Sequence, residues 1–173
     1  MPASYQAPSR KDAGKPKTQS QNTTSNQATH VATVSQLIDA KGGDIFSVKP
    51  GDTIALAVDV LKEKRIGAVL VTDDSGKMVG ILSERDIVRK LADTPGKTLP
   101  QLVGDVMTCE VQACNSSDPL MTVLQRMTQG RFRHMPVVDG ETLIGILTIG
   151  DVVNFRLNEL EHEALQLKQL IVG

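Results

Sequence analysis

The sequence is poor in aromatic residues and has almost no net charge. Its 173 residues include no tryptophan, one tyrosine and three phenylalanines, and the formal net charge is -1 at pH 7. Nucleic-acid binding depends largely on cationic side chains that meet phosphates and on aromatic rings that stack on bases. The composition therefore gives no reason to expect a nucleic-acid partner.

Long hydrophobic runs are also missing. No uninterrupted apolar segment approaches the roughly 20 residues that a membrane-spanning helix needs. The polar first residues lack the apolar stretch of a secretory signal. Yet 40% of the residues are hydrophobic, which is enough for a core in a chain of this length. We therefore expect a soluble, cytoplasmic protein without a membrane partner.

Cysteine and histidine are scarce. Cys109 and Cys114 are the only cysteines, and His134 is the only histidine away from the two ends of the chain. A zinc site needs more ligands than these at suitable spacings, so no metal site is predicted. We expect both thiols to be reduced and partly buried, with a redox pair as the alternative.

The first 30 residues differ in composition from the rest. They are rich in Ser, Thr, Gln, Asn, Lys and Pro and show neither helical nor strand periodicity. This profile is typical of a flexible polar tail. A targeting segment is the alternative because the stretch is basic, although it lacks an amphipathic face that carries arginine.

What the sequence does contain is an internal repeat. Residues 80–86 read GILSERD, and residues 145–151 read GILTIGD. A unit of roughly 60 residues buries too little surface to be stable alone, so two units are expected to share one core. We predict repeats over residues 31–96 and 97–158, with residues 159–173 continuing the last helix.

The two repeats align element by element. Each is predicted to hold a threonine-capped short helix, a strand, a helix behind an acidic cap, two strands joined by a turn, and a last helix. The aligned positions are Thr33 and Thr98, residues 45–48 and 111–114, Asp52 and Asp118, residues 65–71 and 131–137, and Ser83 and Thr148. The fold class is therefore α/β (α+β), with two tandem β-α-β-β-α repeats related by a pseudo-two-fold axis.

Each repeat places a hydroxyl and a carboxylate where a strand gives way to a helix. The pairs are Ser83 with Asp86 and Thr148 with Asp151. One interpretation is a capping box, in which the hydroxyl and the acid bind backbone amides. The other is a nucleotide site, because a helix start attracts phosphate and a carboxylate one turn later can accept hydrogen bonds from a ribose diol.

The repeated Gly-h-h-Ser/Thr-x-x-Asp motif, together with RFRHMPVVD at residues 131–139, resembles a pair of CBS domains, the arrangement called a Bateman module. The resemblance spans about residues 33–158 and is strongest to stand-alone bacterial proteins that contain little else. It implies an adenosine-containing ligand between the repeats, namely AMP, ADP, ATP, NAD or S-adenosylmethionine, and no metal.

The resemblance also implies which residues contact such a ligand. Aspartates would hold the ribose and hydroxyls would meet the phosphate, while apolar residues would flank adenine in each of two sites. Carried over onto this sequence, these residues are Asp86 and Asp151, Ser83 and Thr148, Ile45 and Ile66 for adenine in one site, and Val111, Phe132 and Met135 for adenine in the other.

Charged residues differ between the repeats. The second repeat has Arg133 and His134 at strand positions that resemble phosphate-binding ones, and the first has Arg85 and Arg89 on its last helix. A solvated helix face is the alternative for the helical pair. The difference predicts that the two sites are not equivalent.

We expect the tighter mononucleotide site at Asp151. The site at Asp86 would then accept a larger or less charged ligand, such as a dinucleotide. This ranking follows from the charged residues of the second repeat.

The end of the chain carries apolar residues at alternating spacings of four and three, which is typical of a coiled-coil seam. They are Val153, Leu157, Leu160, Ala164, Leu167 and Ile171. We expect this helix to pack across a second subunit in a homodimer. The alternative is that it docks onto its own domain.

These observations predict a regulatory module that senses an adenine nucleotide and signals to a separate client protein. A structural dimerisation module without a ligand is the alternative. An enzyme is not expected, because about 140 structured residues cannot form a barrel of roughly 250 and no nucleophile-base pair is visible.

Overall fold

The computed structural model describes residues 31–172, and the predicted tail over residues 1–30 lies outside the described residues. The described part forms one compact unit. Its helices and strands follow in chain order as α1 (Val34–Lys41), β1 (Ser47–Val48), α2 (Ile54–Lys64), β2 (Ala68–Thr72), β3 (Met78–Ser83), α3 (Glu84–Asp93), α4 (Leu120–Gly130), β4 (His134–Asp139), β5 (Thr142–Thr148) and α5 (Ile149–Val172).

Helices α2 and α4 form where the apolar stripes predict them. Ile54, Ala57 and Leu61 of α2 are buried on one face, and Leu120, Val123 and Met127 of α4 occupy the same offsets. A stripe with this spacing lies on one side of a helix and can be buried as a unit.

The acidic caps predicted for these helices are wrong. The N-caps are Thr53 and Pro119, each one residue later than the predicted aspartate. The Asp52 carboxylate instead accepts a hydrogen bond from the Lys49 backbone amide at 2.7 Å, closing the turn before the helix. A short polar side chain can bind backbone amides either in a turn or at a helix start. Asp52 binds the amide in the turn, and Thr53 caps the helix.

The strands form two small sheets. In the first, β1 runs parallel to β2, and β2 pairs with β3 in the antiparallel direction. In the second, β4 pairs with β5, and the strand predicted over residues 111–114 is reduced to one parallel bridge between Cys114 and Val137. The bridge corresponds to the pairing of Val48 with Val71 in the first sheet, so the repeats remain in register.

The segment that leads each repeat packs on the other repeat. Helix α1 lies on the second repeat, where the Val34 amide donates to the Asp118 carbonyl at 3.0 Å and Leu37 is buried in the core. Residues 98–106 lie on the first repeat, where the Ile54 amide donates to the Gln101 carbonyl and Val103 is fully buried. The predicted boundary between residues 96 and 97 separates the repeats in sequence, but the segment that leads each repeat packs on the other one. The boundary stays a prediction.

The helix predicted to begin at Thr98 does not form, and only a short 3-10 turn follows at Val103–Asp105. Thr98 is completely buried, and its hydroxyl donates to the carbonyls of Lys90 and Thr94 at the end of α3. These bonds hold Thr98 at the end of α3 and satisfy carbonyls that the helix itself leaves without a partner.

Among residues 31–172, no helix is both long enough and apolar enough to cross a membrane. The longest helix, α5, contains 24 residues, and Val152 is its only buried residue.

The interchange of leading segments predicts that Leu37 stabilises the whole unit. Leu37 is 4% exposed, whereas Leu56 on the surface of α2 is 47% exposed. Truncation of a buried leucine removes transfer free energy and leaves a cavity. We expect Leu37→Ala to lower the free energy of unfolding by about 2 to 4 kcal/mol in urea denaturation.

Leu56→Ala is the matched control and should cost less than about 1 kcal/mol. Equal losses for the two variants would show that α1 is not part of the core.

Candidate functional site

A cleft of about 410 Å³ lies between the two repeats at the start of α3. This volume falls in the range of about 300 to 1,000 Å³ that is usual for small-molecule sites. The lining residues are Gly67, Ile81, Ser83, Glu84, Arg85, Asp86 and Arg89 from the first repeat, and Thr108, Glu110, Val111, Gln112, Gly130, Arg131, Phe132, Arg133 and His134 from the second.

The chain that leads into the second repeat is fixed against strand β3. The amides of Ile81 and Thr108 donate to each other's carbonyls at 3.0 and 2.9 Å. A Cβ on Gly80 would lie 2.7 Å from Met107 Sδ and 3.0 Å from the Thr108 carbonyl oxygen. The first glycine of the motif is therefore required because the neighbouring chain approaches closely. This approach brings Val111 to the cleft.

Ser83 and Asp86 form the predicted capping box. The Ser83 amide donates to Asp86 Oδ2 at 3.0 Å, and the Asp86 amide donates to the Ser83 hydroxyl at 3.3 Å. The Ser83 hydroxyl also donates to the same carboxylate oxygen. Within residues 31–172, Asp86 Oδ1 has no hydrogen-bond partner, so the cap leaves one oxygen available to the cleft.

Arginines from both repeats line the same cleft as this carboxylate. Arg85, Arg89, Arg131 and Arg133 line the cleft, together with three carboxylates. The Arg85 guanidinium donates to the Arg131 carbonyl at 2.8 Å and thereby links α3 to the second repeat. Arg131 adopts the left-handed conformation that ends α4, with φ of 56°. The cleft therefore combines a mixed surface charge with several donors that suit an anion.

The His134 ring lies against the backbone of the first repeat. A Cβ on Gly67 would lie 3.1 Å from His134 Nε2, so glycine leaves the space that the imidazole fills. Burial, followed by the charge of Lys41, lowers the pKa of His134, while Asp151 opposes the shift and Arg133 contributes further lowering. The imidazole is therefore neutral at pH 7 and available as a hydrogen-bond partner.

Thr148 and Asp151 form the second capping box. The Thr148 amide donates to Asp151 Oδ2 at 2.8 Å, and the Asp151 amide donates to the Thr148 hydroxyl at 3.0 Å. Unlike Asp86, Asp151 also carries an ion pair, with Lys41 from the end of α1. Lys41 donates in addition to the Ile146 carbonyl at 3.0 Å. The two motifs therefore meet different neighbours.

The pKa of Asp151 reflects these contacts. Burial raises the pKa of this carboxyl, but the hydrogen bonds from Lys41 and from Thr148 outweigh burial and hold it below its usual value. Asp151 therefore remains an anion in contact with a lysine at neutral pH.

Apolar contacts close the second motif further. A Cβ on Gly145 would lie 2.8 Å from Ile38 Cδ1, and a Cβ on Gly43 would lie 2.9 Å from the Ile144 carbonyl oxygen. Helix α1 and the loop after it thus lie directly on strand β5.

The predicted site residues separate into two groups. One group lines the cleft together, although its members come from both repeats: Ser83, Arg85, Asp86, Arg89, Val111, Phe132, Arg133 and His134. The other group does not line this cleft: Ile45, Ile66, Met135, Thr148 and Asp151. Asp86 therefore shares its cleft with Val111 and Phe132 of the second repeat.

Met135 is a core residue and does not line the cleft. It is completely buried and packs in the hydrophobic cluster of the second repeat. Along a strand, neighbouring side chains point to opposite faces, so a residue next to His134 points away from the cleft.

Sequence reasoning missed Lys41, Gly67 and Gly130. A Cβ on Gly130 would collide with the Phe132 ring, so this glycine lets the ring lie back over the end of α4. For Lys41, a signal was available, because it lies seven positions before Val48, as Met107 lies seven positions before Cys114. A lysine in place of a methionine marks the second motif as different.

The cysteines do not form a redox pair. Both are free, with Cys109 exposed and Cys114 buried, so partial burial is wrong for Cys109. Burial raises the pKa of the Cys114 thiol to about 11, which keeps it protonated. Among the residues that the structure describes, no cluster of histidine, cysteine and acidic side chains could hold a metal ion.

Comparison with known proteins identifies the family. The model of the CBS domain matches residues 34–93 and 103–158, which is more than half of the chain. The chain therefore belongs to the CBS-domain proteins and carries two such domains in tandem. Both the predicted resemblance and the predicted α+β fold class are confirmed.

Three relatives illustrate the similarity. The crystal structure of the CBS-domain protein ATU1752 from Agrobacterium tumefaciens is 40% identical, with a TM-score of 0.71 over 73% of this chain and 94% of that one. CBS domain-containing protein YhcV of Bacillus subtilis is 32% identical over 76% of this chain and 94% of its own length. CBSX2, crystallised in complex with AMP, is 32% identical with a TM-score of 0.57, over 73% of this chain and 96% of that one.

The Lys41 contact predicts a measurable change at Asp151. Lys41→Met removes the ion pair while burial remains, so the pKa of Asp151 should rise from its lowered position. Carboxyl carbon NMR titration measures this directly. Because the pKa is depressed in the folded protein, its contribution to stability is present above the unfolded pKa and is lost as pH falls through the folded pKa.

Lys77→Met in the exposed β2–β3 turn is the control and should leave the pKa of Asp151 unchanged. An unchanged titration in Lys41→Met would show that Lys41 does not hold Asp151 as an anion.

Proposed function

We propose that the protein is a regulatory module that binds an adenine nucleotide in the cleft at Asp86. The observation that carries the proposal is the meeting, in one cleft of suitable volume, of a carboxylate with a free oxygen, four arginines and a neutral histidine. The expected ligands are AMP, ADP, ATP or NAD, with S-adenosylmethionine as a further possibility. The crystal structure of CBSX2 with AMP supports this choice of ligand class.

Each part of the nucleotide has a matching group. The free Oδ1 of Asp86 can accept a hydrogen bond from a ribose hydroxyl. Val111 and Phe132 supply an apolar surface on which adenine can lie. Arg89 and Arg133 can bind phosphate oxygens with bidentate hydrogen bonds.

The contacts of the two aspartates support the opposite order of nucleotide affinity from the one expected from the sequence. Asp151 was expected to anchor the tighter site, but its carboxylate is engaged by Lys41 and its motif is covered by α1. A nucleotide at Asp151 would have to compete with the ion pair to Lys41, whereas Asp86 forms no ion pair within residues 31–172. We therefore propose the Asp86 cleft as the principal site.

Ligand binding can act as a signal because the cleft is built from both repeats. A nucleotide that contacts Asp86 in one repeat and Arg133 in the other stabilises one relative orientation of the two. A ligand with equal affinity for both orientations would shift nothing. We propose that a homodimer in the cytoplasm transmits this change to a separate client protein and catalyses no reaction itself.

Calorimetric titration with AMP tests which aspartate carries binding. Asp86→Ala removes the ribose acceptor, so we expect the dissociation constant to rise about 10- to 100-fold, which corresponds to the loss of hydrogen bonds to a charged group. Asp151→Ala is the matched control and should change the dissociation constant by less than about threefold.

Equal losses in both variants would reject the preference for Asp86. Thermal melts of each variant without ligand distinguish lost binding from lost folding.

The histidine in the cleft provides an independent test. A phosphate near His134 stabilises the imidazolium, so saturation with AMP should raise the pKa of His134 from its lowered position. Proton NMR of the imidazole resonances measures this, with His134→Asn assigning the signal. Adenosine, which lacks the phosphate, is the control ligand and should leave the pKa of His134 nearly unchanged.

If AMP binds but the pKa of His134 does not move, then the phosphate does not lie at the strand of the second repeat.

A further inference from the structure

Helix α5 continues beyond the second CBS domain with an apolar face in solvent. The domain match ends at residue 158, whereas the helix runs to Val172. Leu160 is 45% exposed, Leu167 is 58% exposed and Ile171 is 84% exposed. The length from residue 159 to 172 is about 20 Å of helix.

The fold of this chain does not cover that face. The inner side of α5 packs on the second repeat through Ile149, Val152 and Phe155. Every residue from Leu160 to Val172 is exposed. Isolated helical segments shorter than about 12 to 15 residues are marginal in water, so this extension needs a partner to be stable.

Six apolar residues of α5 follow a heptad, whereas Leu165, Leu170 and Val172 are exposed outside it. Leu157, Ala164 and Ile171 occupy the first core position, and Val153, Leu160 and Leu167 occupy the second core position. Helices with this repeat pair along the apolar seam. A second copy of the same chain presents an identical seam, so it can pack against this one layer by layer.

Charges beside the seam indicate the direction of the pairing. In a parallel, in-register pair, each residue just before a first core position lies near the residue five positions later on the other helix. Arg156 then meets Glu161 of the second copy, and Glu163 meets Lys168 of the second copy. Both contacts occur twice by symmetry, and all four join opposite charges.

The antiparallel arrangement that overlaps the whole seam is disfavoured by the same charges. It would place Glu161 next to Glu161 of the second copy and Glu163 next to Glu163 of the second copy. Like charges at these positions repel. Only the parallel arrangement combines full apolar overlap with attraction.

Lys168 carries the most specific part of this argument. Positions three and four residues away in its own helix are Ala164, Leu165, Ile171 and Val172, so the helix offers it no acidic neighbour. Within residues 31–172, it forms no ion pair. Arg156, in contrast, already contacts Glu159 at 3.1 Å and Glu163 at 3.8 Å in its own helix.

We propose that residues 157–171 of α5 form a parallel, in-register two-stranded coiled coil with a second copy of this chain. The proposal does not rest on nucleotide binding. It places the two C-terminal helices side by side along the two-fold axis of a homodimer.

Disulfide trapping tests the direction of the helices. The background is Cys109→Ser, because Cys109 is exposed, whereas Cys114 is buried and protonated. Leu157→Cys and Leu167→Cys are introduced separately, and each protein is oxidised mildly without nucleotide. In a parallel pair each cysteine faces its own copy, so each variant should form a covalent dimer in high yield.

An antiparallel pair gives the opposite pattern. Residue 157 would then face residue 167, so each variant alone would remain monomeric on a denaturing gel and only their mixture would become linked. That pattern, or no linkage in any sample, would overturn the proposal. Gln169→Cys on the outer face of the helix is the control and should link at least tenfold more slowly.

A charge exchange tests the contact between Glu163 and Lys168. Glu163→Lys turns the two attractions to Lys168 into repulsions and also removes the contact of Glu163 with Arg156 in its own helix. The dimer dissociation constant of the helices should therefore rise roughly tenfold. The double variant Glu163→Lys with Lys168→Glu restores the opposite charges and should recover most of the loss. The readout is the extent of Leu157→Cys linkage as a function of protein concentration.

Failure of the double variant to recover linkage would show that Glu163 and Lys168 do not attract each other across the helix pair. Circular dichroism of each variant shows that the folded part is intact, since all changed residues are exposed.

Discussion

The interchange of leading segments is the constraint on which this structure depends. Neither repeat completes its core with its own residues alone. Helix α1 contributes to the core of the second repeat, and Val103 contributes to that of the first. Two covalently linked repeats that each lend a segment to the other cannot separate without exposing apolar surface. The cleft between them is therefore bounded by both cores.

The same interchange makes the two motifs unequal. Each leading segment crosses the motif of the other repeat, where it meets Gly80 in one case and Gly145 in the other. At equivalent positions along these segments stand Met107 and Lys41. The methionine packs against the glycine, whereas the lysine reaches the carboxylate of Asp151. One difference in side-chain chemistry therefore gives Asp151 an ion pair that Asp86 lacks.

Local patterns in the sequence predicted the local structure well. The stripes of α2 and α4 and the capping boxes follow from spacing alone, because neighbours along one helix determine them. The features that the spacing did not predict depend on contacts between segments that are distant in the sequence. Thr98 was expected to start a helix but bonds back to α3, and Met135 was expected in the cleft but points into the core. The partnership of Asp86 with Val111 required knowledge of how the repeats face each other.

His134 connects the chemistry of the two motifs. Its ring lies against Gly67 at the Asp86 cleft, yet the charges that act on its pKa include Lys41 and Asp151 from the second motif. A group that both motifs influence can couple them, since a phosphate that favours the imidazolium acts against the repulsion from Lys41. Any rearrangement of the pair between Lys41 and Asp151 would change that repulsion in turn. Coupling of this kind is reciprocal, so an anion that favours the imidazolium and the position of Lys41 would each bias the other. Because Lys41 ends α1, this charge contact leads directly from the cleft to the segment that holds the two repeats together.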